Sequence, residues 1–143
     1  MRSSTRFLAL LGCTAAHCVV QAQSSAKPGP KSITGHYRLT NDEFRNRLDL
    51  QQLAGGKVKF HLLALWVSYN NPDNIHNGEL EGIVALENGV ALYDQDECTL
   101  KFEFFPNRVR VTQLNDEGCG FGANVTAAGT YRKLDSKKPK FDY

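Results

Sequence analysis

A strand–turn–strand pattern near the C-terminal end places the strongest constraint on the fold. Residues 98–105 and 108–115 each alternate apolar with polar side chains, and Pro106-Asn107 separates the two arms. Period-two alternation is typical of a strand with one buried face, and Pro-Asn is typical of a turn. In the simplest hairpin register Cys98 lies opposite the end of the second arm, a few positions before Cys119. We therefore predict a disulfide that closes this hairpin.

The N-terminal residues indicate export. Arg2 and Arg6 precede a mostly apolar run, residues 7–20, and Val20-Gln21-Ala22 offers small residues at the positions that a signal peptidase reads. This order is typical of a secretory signal peptide, so we predict cleavage after residue 22 and a periplasmic or secreted protein. The run is shorter than the roughly 20 apolar residues of a membrane span. A lipoprotein signal is the alternative, in which the Leu-Leu-Gly before Cys13 makes that cysteine the lipidated residue.

Removal of residues 1–22 changes both the cysteine count and the charge. The four cysteines become two, Cys98 and Cys119, and an even pair in an exported protein indicates one disulfide. Without Arg2 and Arg6 the 17 basic residues fall to 15, equal to the 15 acidic residues. A neutral chain has no general attraction to nucleic acid or to anionic membranes, so we expect neither as a partner.

The remaining chain divides into a flexible leader, one β-domain and a basic tail. Residues 23–32 are rich in Ser, Lys, Gly and Pro, which is typical of flexible segments. The strands predicted between residues 33 and 134 are 33–39, 48–53, 57–69, 79–86, 90–93, 98–105, 108–115 and 125–134, with the intervening segments, including 70–77, as loops. Consecutive strands without a long helix favour an all-β antiparallel meander closed into a barrel, with a sandwich as the alternative. The tail, residues 135–143, is predicted to be mobile.

Two similar motifs indicate where such a barrel closes. Gly35-His-Tyr37 lies in the first predicted strand and Gly129-Thr-Tyr131 in the last. Closing the sheet makes these two strands neighbours and removes the exposed edges. Our hypothesis is that the glycines mark kinks and that the tyrosines close the seam.

The glycine-rich segment around Cys119 is the candidate partner-binding site. Gly120 and Gly122 let a partner approach the backbone, the disulfide holds the loop, and Phe121 is a candidate anchor. The competing interpretation places Phe121 over one end of the core, where most aromatic side chains lie. If the barrel is instead hollow, the residues predicted to line a small ligand are Phe60, Trp66, Phe102 and Phe104.

Residues with catalytic or metal-binding chemistry do not converge in the sequence. His36, His61 and His76 lack the spacing of metal ligands, and a zinc site needs about four converging groups. Glu79 and Glu81 alternate with apolar or small residues, which places both on the solvent face of a strand. The chain contains no Gly-x-Ser-x-Gly motif and no phosphate-binding loop. We therefore predict a non-catalytic protein without a metal or a cofactor.

Five short segments carry a resemblance to known proteins. They are Gly35-His-Tyr37, Gly78-Glu-Leu-Glu-Gly82, Cys98-Thr-Leu-Lys-Phe102, Cys119-Gly-Phe-Gly122 and Gly129-Thr-Tyr131. In these the chain resembles small exported β-domains of Gram-negative bacteria, many without a characterised function. In size, signal, single disulfide and barrel architecture it is also similar to periplasmic lysozyme inhibitors, which insert a loop into the active-site cleft of the enzyme. Their Ser-Gly-x-Gly-x-Lys-Tyr type of loop is absent here. The resemblance implies a binding protein of the cell envelope that recognises or inhibits a hydrolase, with a small-ligand carrier as the alternative.

Overall fold

The chain forms an eight-stranded antiparallel barrel in a computed structural model that describes residues 32–115 and 118–141. The strands are β1 (Gly35–Thr40), β2 (Arg45–Leu53), β3 (Lys57–Val67), β4 (Ile75–Glu87), β5 (Val90–Gln95), β6 (Cys98–Phe105), β7 (Arg108–Gln113) and β8 (Gly129–Lys133). They follow one another around the barrel in chain order, and β8 pairs with β1. The prediction of a closed all-β barrel is confirmed.

The predicted signal peptide, Cys13 and the leader up to residue 31 lie outside the described residues. The described part of the chain holds no helix with the length and hydropathy needed to span a membrane.

The hairpin of β6 and β7 has the predicted register. Phe105 pairs with Arg108 across Pro106-Asn107, and the ladder continues in the same register to Leu100 and Gln113. Cys98 forms the predicted disulfide with Cys119, their Cα atoms lying 4.4 Å apart. The bond ties the start of β6 to the long connection between β7 and β8.

The interior of the barrel is filled by alternate side chains from every strand. The largest side chains with almost no exposed surface are Tyr37, Leu48, Leu50, Val58, Phe60, Leu62, Leu100, Phe102, Val109, Val111 and Tyr131. Each large apolar side chain removed from water contributes about 1.5–3 kcal/mol. On the outer face of β3, Leu63 and Leu65 are only half-buried, and they line a shallow depression together with Arg38, Arg45 and Arg47.

The seam between β1 and β8 contains both glycine motifs. Gly35 has φ of 146° and Gly129 has φ of 149°, a backbone conformation that residues with a Cβ rarely adopt. A Cβ on Gly35 would lie 2.0 Å from the carbonyl oxygen of Asp135, and one on Gly129 would lie 2.0 Å from Cδ1 of Leu39. Both glycines therefore allow the first and last strands to approach each other closely.

The two seam tyrosines make the same hydrogen bond in equivalent places. The Tyr37 hydroxyl donates to the carbonyl of Ile33 at 2.9 Å, and the Tyr131 hydroxyl donates to the carbonyl of Ala127 at 2.8 Å. Each bond reaches back four residues and fixes the segment that leads into the strand. Burial raises the pKa of Tyr37 to about 12 and raises the pKa of Tyr131 as well, so both hydroxyls remain protonated donors.

Three strands begin three or four residues away from the position that the sequence predicts. β4 begins at Ile75 instead of residue 79, because its polar first residues pair with the end of β3, including Trp66 opposite His76. His76 therefore lies in a strand and not in a loop. β2 begins at Arg45, three residues earlier than predicted. β8 begins only at Gly129, since a turn with Asn124 at φ 64° precedes it.

Residues 135–141 lie along the outer wall of the barrel. Asp135 accepts a hydrogen bond from Nδ1 of His36 at 2.8 Å, and Pro139 is buried. The Lys59 ammonium lies 4.5 Å from the ring centre of Phe141. The tail thus contacts β1 and β3 from outside the barrel.

Candidate functional site

One end of the barrel, which we call the upper rim, carries the disulfide and the longest connections. Because the strands alternate in direction, the connections after β1, β3, β5 and β7 meet at this end. They comprise residues 41–44, 68–74, 96–97 and 114–128, of which 116 and 117 are not described. The rim also carries exposed apolar side chains, of which Tyr69 is 79% exposed.

Residues 118–128, here called the disulfide loop, bridge two separate parts of the wall. At its start the loop packs on the turn between β5 and β6, where a Cβ on Gly118 would lie 1.7 Å from the carbonyl oxygen of Glu97. Further on, the Phe121 ring covers Gly78 of β4 so closely that a Cβ there would lie 2.1 Å from the ring. The loop therefore spans the distance from β5 to β4 across the rim.

Hydrogen bonds fix the middle of the loop to β4. The Gly122 amide donates to the Asn77 carbonyl at 3.0 Å. Nδ1 of His76 donates to the carbonyl of Ala123 at 2.6 Å, and the His76 ring lies 5.3 Å from that of Trp66. These contacts explain why the loop has a defined path although it contains no strand.

Below the loop, the wall between β4 and β5 has a gap. Among the described residues these strands pair only at Leu86↔Ala91 and Glu87↔Val90, although β4 continues to Ile75. The Asn77 carbonyl points away from β3, since it accepts the Gly122 amide. Backbone groups of alternate residues point the same way along a strand. The amides and carbonyls of Glu79, Glu81 and Ile83 therefore face the gap, which has no neighbouring strand in the described chain.

Carboxylates surround this gap. Glu79 and Glu81 are exposed on the β4 side, as the sequence predicts, and Asp94, Asp96 and Glu97 are exposed on the β5 side. Two of the five have partners, because Glu79 contacts His61 and Asp94 accepts a hydrogen bond from Thr99 at 2.9 Å. The gap is thus bordered by a surplus of negative charge.

Tyr93 lies beneath the gap, and a carboxylate beside the gap affects its pKa. Its ring reaches to 3.1 Å from the position that a Cβ on Gly82 would take. Burial, and then the nearby Asp96 carboxylate, raise the pKa of Tyr93 above its ordinary value. Because the Tyr93 ring lies against Gly82, the gap ends on an aromatic side chain of the core and does not open into a channel at this point.

The three predicted partner-binding residues lie together in the disulfide loop, with different exposures. Gly120 and Gly122 are exposed, and nothing lies within 4 Å of a Cβ built on Gly120. Phe121 is half-buried and packs against the core. Its ring fixes the loop to β4, which agrees with the interpretation that it covers one end of the core.

The four predicted ligand-lining residues are not arranged around a cavity. Phe60 and Phe102 are fully buried, with ring centres 5.0 Å apart, and Phe104 is 8% exposed. Trp66 is half-buried at the upper rim against His76. Three of these side chains thus fill the core, and the fourth covers its end.

The histidines and carboxylates form pairs in this structure. His36 contacts Asp135 and His61 contacts Glu79, whereas His76 bonds a carbonyl. Within residues 32–115 and 118–141, no group of three or more His, Cys, Asp or Glu side chains is placed to hold a metal ion.

Sequence reasoning missed the gap and its free β4 edge. The available signal is the mismatch in length between β4, with 13 residues, and β5, with 6, because a hairpin with unequal arms leaves part of the longer arm unpaired. No protein-family model, no curated protein and no solved structure matches this chain.

Proposed function

We propose that this chain is an exported, non-catalytic binding protein of the cell envelope that recognises another protein at the gap between β4 and β5. The observation that carries the proposal is the free backbone edge of β4 at Glu79, Glu81 and Ile83. An exposed strand edge is a ready template for an added strand, and several peptide-binding domains recognise extended segments in this way.

The charge around the gap supports a basic partner. Glu81, Asp96 and Glu97 have no ion-pair partner among the described residues, and all three are exposed. Opposite charges across an interface accelerate association and exclude partners of the wrong sign. We therefore expect an extended segment with lysine or arginine side chains, presented by a cationic protein. A secreted or envelope hydrolase is the partner class that agrees with the resemblance to lysozyme inhibitors.

The apolar surface at the gap supports the same binding mode. Ile83 is 56% exposed on the outer face of the free edge, where a bound strand would cover it. The disulfide loop closes the upper end of the gap, so an added strand has a defined stop. Backbone hydrogen bonds would give affinity, and side chains such as Ile83 would give specificity.

The filled interior does not support the alternative of a small-ligand carrier. Phe60 contacts both Phe102 and Tyr93, with ring centres 5.0 Å and 5.3 Å apart. A carrier of this architecture needs an internal cavity at these positions.

The test compares two charge reversals on the same strand, with the processed protein immobilised and purified cationic lysozymes as the first probes. Glu81→Lys places a positive charge beside the free edge, and Glu87→Lys places one at the paired end of β4. We expect Glu81→Lys to weaken binding at least tenfold and Glu87→Lys to have little effect. Equal binding by both variants contradicts recognition at the gap.

Residue-resolved amide hydrogen exchange tests the backbone contact directly. In the free protein the amides of Glu79, Glu81 and Ile83 should exchange faster than those of Leu80 and Gly82, which face β3. Addition of a partner should protect the first three. If these amides exchange at the same rate in a saturated complex, the partner does not add a strand to β4.

A further inference from the structure

The outer wall on the other side of the barrel carries a row of arginines aligned across four adjacent strands. Arg108 of β7 pairs with Arg132 of β8, Arg132 pairs with Arg38 of β1, and Arg38 pairs with Arg47 of β2. We call these four residues the arginine row. All four alternate with buried neighbours along their strands and therefore point outward.

The row brings like charges together with little compensation. Residues directly opposite on neighbouring strands have Cβ atoms about 5 Å apart, and like charges in this arrangement destabilise a sheet. Arg47 lies 3.4 Å from Asp49, but Arg38, Arg108 and Arg132 have no carboxylate partner among the described residues. Folding alone does not require this alignment.

Neighbouring groups extend the positive surface on both sides of the row. Arg110 and Arg132 line a shallow cleft of about 750 Å³ together with Thr130 and Lys133. The guanidinium of Arg110 lies 5.7 Å, and that of Arg108 4.9 Å, from the Phe105 ring centre, which limits the freedom of both side chains. At the other end, Lys137, Lys138 and Lys140 of the tail border a depression that includes Arg47.

We propose that the arginine row binds a linear anionic polysaccharide through its carboxylate, phosphate or sulfate groups. Guanidinium groups bind these anions in a planar, bidentate manner. Three strand spacings give the row a length of about 14 Å, which suits several successive charges of a polymer. The Thr130 hydroxyl next to the row is a further hydrogen-bonding group for a sugar chain.

The shape of the row and its surroundings favour a polysaccharide over an anionic membrane or a single-stranded nucleic acid. The row crosses four of the eight strands, which is three of the eight steps around the barrel, so it follows a curved wall that a flexible chain can follow and a flat membrane cannot. Single-stranded nucleic acids bind largely by stacking bases on exposed aromatic rings. Phe105, the aromatic residue in the cleft, is half-buried and faces two guanidinium groups.

The test uses the processed chain and a size-defined sulfated octasaccharide, with an uronic-acid oligosaccharide as a second probe. Arg132→Gln removes the charge that lies opposite both Arg38 and Arg108. We expect the affinity to fall at least fivefold and the slope of log K against log salt to become shallower by about 0.7, as for one lost contact to a flexible polyanion. Lys57→Gln, an exposed charge on β3 away from the row, is the matched control and should bind as the parent does.

Thermal unfolding separates a binding role from a structural one. Because Arg132→Gln relieves repulsion, its melting temperature should equal or exceed that of the parent. Failure of either oligosaccharide to bind, equal losses for Arg132→Gln and Lys57→Gln, or a lowered melting temperature overturns the proposal. The proposal is also overturned if a dT12 oligonucleotide or phosphatidylglycerol vesicles bind at least as tightly as the oligosaccharides at the same salt concentration and lose this binding in Arg132→Gln.

Discussion

Replacement of Tyr131 by phenylalanine tests the hydrogen-bond network that joins the seam to the upper rim. The Tyr131 hydroxyl donates to the Ala127 carbonyl at 2.8 Å and accepts a bond from Nδ2 of Asn46 at 3.1 Å. Tyr131, Asn46 and Ala127 are all completely buried, so water cannot replace the lost group. The variant removes only the oxygen and leaves the packing of the ring unchanged.

The expected loss of stability in Tyr131→Phe follows from the two hydrogen bonds of the hydroxyl. A buried carbonyl deprived of its donor costs about 1–3 kcal/mol, and the lost bond from Asn46 adds about 0.5–1.5 kcal/mol. Nδ2 of Asn46 keeps its bond to the Thr126 carbonyl at 2.9 Å, so the second loss is partial. We therefore expect Tyr131→Phe to lower the free energy of unfolding by about 2–3 kcal/mol.

Tyr37→Phe is the matched control at the other side of the seam. Tyr37 is also nearly fully buried, but its hydroxyl makes one described bond, to the Ile33 carbonyl, so the expected loss is about 1–2 kcal/mol. Urea unfolding followed by the fluorescence of the single tryptophan, Trp66, measures the free energy of unfolding of both variants. A Tyr131→Phe loss below 1 kcal/mol, or one equal to that of Tyr37→Phe, refutes the reasoning. In a double-mutant cycle with Asn46→Ala, the coupling energy should be about 1 kcal/mol.

Two further predictions concern the disulfide and the tail. Cys98→Ser should lower stability by about 3 kcal/mol in urea unfolding, because the bond closes a loop with a sequence separation of 21; two free thiols in the denatured, processed parent would contradict the disulfide itself. The hydrogen bond from His36 lowers the pKa of Asp135 below its ordinary value of 3.8. The contribution of this contact is therefore fully present above pH 3.8 and is lost as the pH falls through the lowered pKa. The protection factors of the tail amides, which compare the observed with the intrinsic exchange rate at each pH, should fall on acidification in that range, and Asp135→Asn should abolish this pH dependence; unchanged protection in the parent would argue against the contact.

Local sequence patterns were sufficient to predict the barrel. The alternation in β6 and β7 specifies which face is buried, and Asn88-Gly89 specifies a tight hairpin turn, with φ values of 51° and 79° in the structure. The disulfide followed from the same register, because only two cysteines remain after the predicted processing. These features depend on residues close together in the chain.

The gap and the arginine row were not predicted, since both depend on which residues lie opposite each other. An outward position for Arg38 or Arg132 follows from alternation within one strand, but their alignment depends on the register between β1 and β8. The predicted strand boundaries were wrong for a related reason. His76 lies in a polar stretch that local composition assigns to a loop, whereas pairing with Trp66 makes it part of a strand.

Closure of the barrel by its first and last strands has a consequence for folding. The seam joins Tyr37 to Lys133, so β1 lacks one neighbour until nearly the whole chain is available. A chain that ends before β8 has two unpaired edges at once, on β1 and on β7, and lacks the Tyr131 network as well. Such edges recruit other chains and cause aggregation. Pairing of the five residues of β8 with β1 and β7 is therefore what covers both edges and separates a closed barrel from an aggregation-prone open sheet.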